Sequence, residues 1–134
     1  MTDLASWFEQ EVQSWWANGD AFTSPPSNIY VALHTADPTN DASQGEVDAA
    51  DYERLETGTG DWQMTGEGPT NVTNPNELQF PTAQNNWGSV SHLSLWTAQT
   101  GGNPLWQGAA TNTKQIDADD RYVLEAGEVD ADLD

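Results

Sequence analysis

The sequence predicts an all-β protein, an antiparallel β-sandwich of jelly-roll-like type preceded by one amphipathic helix. Two observations carry this. After residue 28, short runs of alternating apolar and polar residues recur at about 8–12-residue spacing, separated by Gly, Pro, Asn and Asp turns. No second helical pattern lies between them, so there is no βαβ alternation. A chain of 134 residues suits a single domain, 1–134, with a helix over 1–19 and a sandwich over 28–134.

The helix is read from "DLASWFEQEVQSWWAN" (3–18). Leu4, Trp7, Phe8, Val12, Trp15 and Trp16 recur at three- and four-residue spacing and draw one apolar stripe. Thr2 or Asp3 is the expected cap, and Asn18-Gly19 the expected stop. Three tryptophans and a phenylalanine exceed what a small core needs, so Trp7, Phe8, Trp15 and Trp16 are candidate interface residues. "TSPPSN" (23–28) then breaks the chain.

Eight to nine strands are expected: "NIYVALH" (28–34), "YERLET" (52–57), "DWQM" (61–64), "ELQF" (77–80), "VSHLSLW" (90–96), "PLWQGA" (104–109), "TKQI" (113–116), "RYVL" (121–124) and "EVDADL" (128–133). Their period of two places Ile29, Val31, Leu33, Leu78, Phe80, Leu93, Leu95, Leu105, Val123, Val129 and Leu133 on core faces. It also sets Val90, His92, Ser94 and Trp96 on one face of their strand, opposite Leu93 and Leu95. The last strand alternates Val129, Ala131 and Leu133 with Glu128, Asp130, Asp132 and Asp134, so its wet face is made only of carboxylates.

That habit runs through the whole chain, with 22 acidic residues against Lys114, Arg54 and Arg121, a net charge of −19. Aromatic content and periodicity argue against a disordered acidic chain. An acidic DNA mimic that fills a basic groove needs its carboxylates on one face, whereas here they occur in nearly every segment. A protein adapted to molar salt needs them everywhere, because the Debye length there falls to about 3 Å and self-repulsion is screened. The second pattern fits the spread of acids here, and an acidic DNA-mimic inhibitor stays as the alternative. Direct binding of nucleic acid is not expected from a chain with three cations.

No catalytic constellation is legible. His34 and His92 both fall inside predicted strands, where a packed, hydrogen-bonded imidazole is the ordinary case. There is no Cys, no nucleophile elbow, no phosphate-cradling loop and no His-Glu-x-x-His. The turns "DPTND" (37–41) and "DADD" (117–120) are of the type that collects calcium, but neither fits the twelve-residue calcium loop, and solvated turns are expected. No cofactor or metal is expected. Trp62, Trp87, Trp96 and Trp106 form either a sugar-stacking platform or, as is commoner, core. The N-terminus lacks the basic region of a secretion signal, and no apolar run has membrane-spanning length, so no membrane partner is expected.

Several pieces taken together are specific: "LHTADP" (33–38), "FPTA" (80–83), "WGSVSH" (87–92) and "TGGN" (100–103). With the opening helix they make the whole chain resemble a family of small structural proteins of tailed viruses, usually labelled tail fibre proteins. The resemblance implies a non-enzymatic protein on the virion surface, made in the host cytoplasm. It also implies a homo-oligomer, a trimer or pentamer, that contacts the major capsid protein or other virion proteins. For one compact domain without heptads, capsid decoration or turret is the favoured place; a tail fibre or tail adaptor touching host-surface glycan is the alternative. Where this chain has "DAAD" (48–51) and "VDADLD" (129–134), the family strands look rewritten in carboxylates for a halophilic host.

The salt reading has a direct consequence. Thermal unfolding followed from about 0.1 to about 3 M KCl should show a steady rise in Tm as carboxylate repulsion is screened. A flat curve contradicts adaptation to salt.

Overall fold

The computed structural model describes residues 3–65 and 71–132. Among these residues are one α-helix, α1 (Ser6–Ala17), one short 3-10 helix (Thr59–Asp61) and ten strands: β1 (Asp3–Leu4), β2 (Ile29–His34), β3 (Leu55–Thr57), β4 (Gln63–Thr65), β5 (Asn71–Thr73), β6 (Leu78–Gln79), β7 (Gly88–Trp96), β8 (Pro104–Ile116), β9 (Val123–Leu124) and β10 (Asp130–Asp132). They form three antiparallel sheets, ordered β1-β8-β7-β2-β3, β10-β5-β4 and β6-β9. A single core cluster joins Val31, Leu33, Val90, Leu93, Leu95 and Trp106 of the large sheet to Phe80, Leu124, Val129 and Ala131 of the smaller ones. The architecture is the expected all-β sandwich with one N-terminal helix.

Most of the predicted core is in place. Val31, Leu33, Phe80, Leu93, Leu95 and Val129 are buried, while Ile29, Leu78 and Leu105 pack against the cluster from its margin. Val123 is a correction. A strand presents only one parity to the core, and here Tyr122 and Leu124 take it, leaving Val123 half-buried. Tyr122 sets its ring edge on Phe80 (5.9 Å, 89°), and Phe80 meets Trp87 (6.2 Å, 78°), which in turn meets Tyr52 (5.5 Å, 88°). Leu133 lies outside the described residues.

The expected faces of β7 also need correcting. Pairing with β8 runs Gly88↔Ile116 to Val90↔Lys114, then resumes at His92↔Ala109, a break that leaves residues 110–113 of β8 unmatched. Across it the phase changes, so Val90 joins Leu93 and Leu95 in the core. The same ladder makes the separately expected strands at 104–109 and 113–116 one long strand, β8. β1 and β5 were not expected. Asp3 and Leu4 pair with Gln107 and Trp106, and the amide of Ala5 reaches the Leu105 carbonyl (3.0 Å), which delays the helix to Ser6. Asp3 therefore is not the cap; Ala5 holds that position without a side-chain bond, and Thr2 lies outside the described residues. Gly19, at φ +74°, ends the helix as expected.

Polar side chains fix the joints. Asn74, fully buried, donates to the carbonyls of Asn76 (3.0 Å) and Glu125 (2.9 Å) and accepts from the amide of Val129 (3.1 Å), which ties the end of β5 to the approach of β10. Asp51 accepts from the Gln84 amide (2.7 Å), Asn85 Nδ2 (2.9 Å) and Trp87 Nε1 (3.2 Å), so one carboxylate caps the turn leading into β7. These bonds, the Gln84 amide first, hold the Asp51 carboxyl below its usual range.

The hairpin between β7 and β8 depends on Gly102. At φ +76° an added Cβ would stand 2.7 Å from Ala98 Cβ and 3.0 Å from its amide nitrogen. Gly101 has a similar φ, +66°, but open space around it. Gly102→Ala should therefore lower the unfolding free energy by about 2–4 kcal/mol and Gly101→Ala by about 1 kcal/mol, compared by denaturant midpoints. Equal losses would show that dihedral strain, not crowding, governs the turn.

Candidate functional site

The interface candidates divide into two pairs. Trp7 and Phe8, on the first turn of α1, are half-buried and stack on each other (6.3 Å, 20°). Trp15 and Trp16, on its last turn, are 54% and 69% exposed, and Trp15 stacks on Phe22 (5.6 Å, 23°), itself 46% exposed. No residue of α1 is fully buried. The stripe is real, but the helix lies on the sandwich without entering its core. Glu11 joins the helix to the returning chain by accepting from the Thr23 amide (3.0 Å), and that bond keeps its carboxyl below the usual range.

Beneath the helix is an apolar groove of about 820 Å³. One wall is Trp7, Phe8 and the 22–26 segment; the other is Ile29, Leu95, Leu105 and Trp106 of the large sheet, with Trp62, Val72 and Ala131 from the opposite layer. The groove thus opens the interior between the sheets, in the volume range of ordinary ligand sites. Trp62 is held there by its Nε1–H, which donates to Thr57 Oγ1 (2.9 Å). Trp106 differs: it is 2% exposed, and its Nε1–H has no hydrogen-bond partner among the described residues. An unmet buried donor costs about 1–3 kcal/mol.

The other face of the large sheet is covered by polar chemistry. Arg54 is buried; its Nε and Nη2 donate to Glu46 Oε2 (3.0 Å) and Oε1 (3.1 Å), and its Nη1 to the carbonyls of Ala98 (2.9 Å) and Gly101 (2.8 Å). The guanidinium lies 3.9 Å from the centre of the Trp96 ring. Tyr52 donates to Glu46 Oε2 (2.8 Å) and accepts from the Leu33 amide (3.0 Å). Burial alone would raise the Glu46 carboxyl, but the bonds from Arg54 and Tyr52 outweigh it and hold it low. Burial and the neighbouring Glu46 push the Tyr52 phenol well up.

His34 completes this layer. Its Nδ1 lies 2.7 Å from the Gln44 carbonyl, which only accepts, so Nδ1 carries the proton and Nε2 accepts from Ser94 (2.7 Å). Ser94 also accepts from Trp96 Nε1 (2.7 Å). Desolvation holds the imidazole below its ordinary pKa and in this neutral form. A serine and a histidine in contact have the makings of a nucleophile pair, yet both are fully buried and fully bonded. His92 meets Ser91 Oγ (2.8 Å).

The sugar-platform alternative is overturned: Trp87, Trp96 and Trp106 are buried, and Trp62 is half-buried in the groove wall. The acidic turns are internally bonded. Asp41 accepts from Thr39 Oγ1 (2.7 Å), Ser43 Oγ (2.7 Å) and the Ser43 amide (3.2 Å), holding Thr39 at φ +67°. In the second turn Asp120 accepts from the Asp117 amide (2.9 Å). Among the described residues no three His, Asp or Glu side chains gather as a metal site. Sequence reasoning missed the Arg54–Glu46 pair and the groove; the one available signal was Arg54 itself, a rare cation in an acidic chain.

A family model described as podophage GP4 fiber I protein gp80 matches residues 3–132. No curated protein matches the chain.

The polar layer can be tested at two points. Arg54→Ala leaves the Glu46 charge half-buried and unpaired and should cost about 3–5 kcal/mol, measured by chemical unfolding. Because His34 titrates lower when folded, the unfolded chain binds its proton first, so stability should start to fall as pH drops below about 6.5. A further loss should set in below about 4.5 as Glu46 protonates. His34→Gln should flatten the first phase and leave the second; an unchanged slope would assign it to another group.

Proposed function

The chain belongs to the podophage GP4 fiber I protein family, and from that premise we propose that it is a non-enzymatic structural subunit on the exterior of the tail of a tailed virion. The observation that carries this is the family match across residues 3–132. The family description favours the tail over the head surface, the place first expected from a compact domain. The structure supports an assembly role in two ways. The histidines are consumed in packing and hydrogen bonds, with His34 sealed in the fold. The aromatic end of α1 presents Trp15, Trp16 and Phe22, on the order of 300–400 Å² of exposed ring surface, the size of patch that marks interaction sites.

This patch is the self-association surface of a symmetric homo-oligomer, a trimer or pentamer, in which each aromatic end meets a neighbouring subunit. Subunits of charge −19 approach one another only where salt screens them, which matches a halophilic host.

Gold-labelled antibody on intact particles should decorate the tail. Label confined to the capsid would replace this reading by capsid decoration or turret, and an unlabelled particle would remove the virion role. In sedimentation at about 3 M KCl the protein should be oligomeric, and Trp15→Ser with Trp16→Ser should weaken association at least about tenfold, or ~1.4 kcal/mol, without lowering Tm. A double variant that assembles normally excludes the helix end as the contact.

A further inference from the structure

The groove under α1 differs from the exposed helix end in chemistry as well as place. Its walls are apolar and aromatic, and its lining includes one charged side chain, Glu11 at the mouth, whose carboxyl stays ionised through its bond from the Thr23 amide. The groove belongs to a chain of net charge −19, so its electrostatic surroundings are negative as well. None of the three cations lines it. Each is engaged elsewhere: Arg54 with Glu46, Lys114 with the Val123 carbonyl (2.8 Å), Arg121 with Gln79 (2.9 Å) and Thr82 (3.2 Å).

We infer that the groove receives an apolar protein segment flanked by Lys or Arg, supplied by a different protein. Charge complementarity selects that partner: an apolar slot in acidic surroundings favours apolar anchors beside cations. A second copy of this chain is a poor occupant, because its apolar runs are flanked by acids and its few cations are engaged. Access is available without unfolding the core, since α1 has no fully buried residue to extract. Trp106 lines the groove, and its buried Nε1–H has no hydrogen-bond partner among the described residues.

The inference rests on the reading of the chain as an assembly subunit, but not on its place in the particle. The probe is a fluorescein-labelled peptide of roughly twelve residues, alternating Leu and Ser with two Lys at each end, followed by anisotropy and by Trp emission. In about 0.15 M KCl it should bind at least about tenfold more tightly than the same peptide with Glu ends, and than a Lys-ended peptide with Ser in place of Leu. The Lys-over-Glu preference should shrink to under about twofold at about 3 M KCl, while the preference for Leu persists. Leu105→Trp and Thr23→Trp narrow the groove from opposite walls, and either, with Tm unchanged, should weaken binding at least about tenfold. Trp16→Ser, outside the groove lining and its ring contacts, should leave it intact. Equal binding of the Lys- and Glu-ended peptides, or of the Leu and Ser peptides, overturns the inference. So does peptide that displaces self-association, which would assign the groove to a second copy. Absence of peptide binding would overturn it too, and leaves the antibody location on the particle as a separate result.

Discussion

The central strands of this protein are buried on both faces, and the pair Arg54–Glu46 makes the second face possible. On the inner side Val31, Leu33, Leu93 and Leu95 join the main core; on the outer side Ala32, His34, Ser94 and Trp96 are equally buried. A small sandwich ordinarily leaves that outer side wet. Here the 36–51 loop and the 97–103 hairpin fold over it, and Arg54 bonds to both, to Glu46 in one and to the Ala98 and Gly101 carbonyls in the other. Its guanidinium covers the Trp96 ring. A lysine has neither the fork for Glu46 nor the donors for two further carbonyls.

The acid excess is partly structural. Asp41 closes the turn at 39–43, Asp51 caps the turn into β7, and Glu128 accepts from the Glu125 amide (3.0 Å) at the turn before β10. Carboxylates accept backbone N–H bonds in place of the Ser, Thr or Asn common at such joints, and the bonded acids at 41 and 51 are held ionised. Arg54 and Lys114 are likewise used inward, on a carboxylate, carbonyls and rings, while Arg121, at the surface, bonds to Gln79 and Thr82. What reaches solvent is then almost wholly anionic, which sets how the protein meets partners: long-range repulsion from its own copies, attraction to cationic surfaces, both tuned by salt.

The contacts proposed for this scaffold lie where its packing is loosest. The helix is fastened at its N-terminal end, through the Ala5 amide to Leu105, and at mid-length, through the Glu11 carboxylate to Thr23, while its aromatic side chains lie over an open groove or in solvent. The sandwich below is closed by cross-strand pairs and buried polar joints.

Much of the fold was legible in the chain. Period-two runs identified β2, β7 and the terminal strand, and the three- and four-residue spacing identified the helix, because each pattern is local and one face of each element must avoid water. The virion family was legible too, through "LHTADP", "WGSVSH" and "TGGN". Tertiary structure decided the rest. The phase of Val90 and Val123 depended on the break opposite residues 110–113 and on the Phe80 contact, neither of which periodicity contains. β5 formed from an Asn-rich stretch because β4 and β10 supplied partners on both sides. The burial of Arg54 and the groove beneath α1 arise from residues between 8 and 127 positions apart, brought together only when the sheets close. Local sequence specifies which side of an element is apolar; what that side meets is settled by the packing of distant elements.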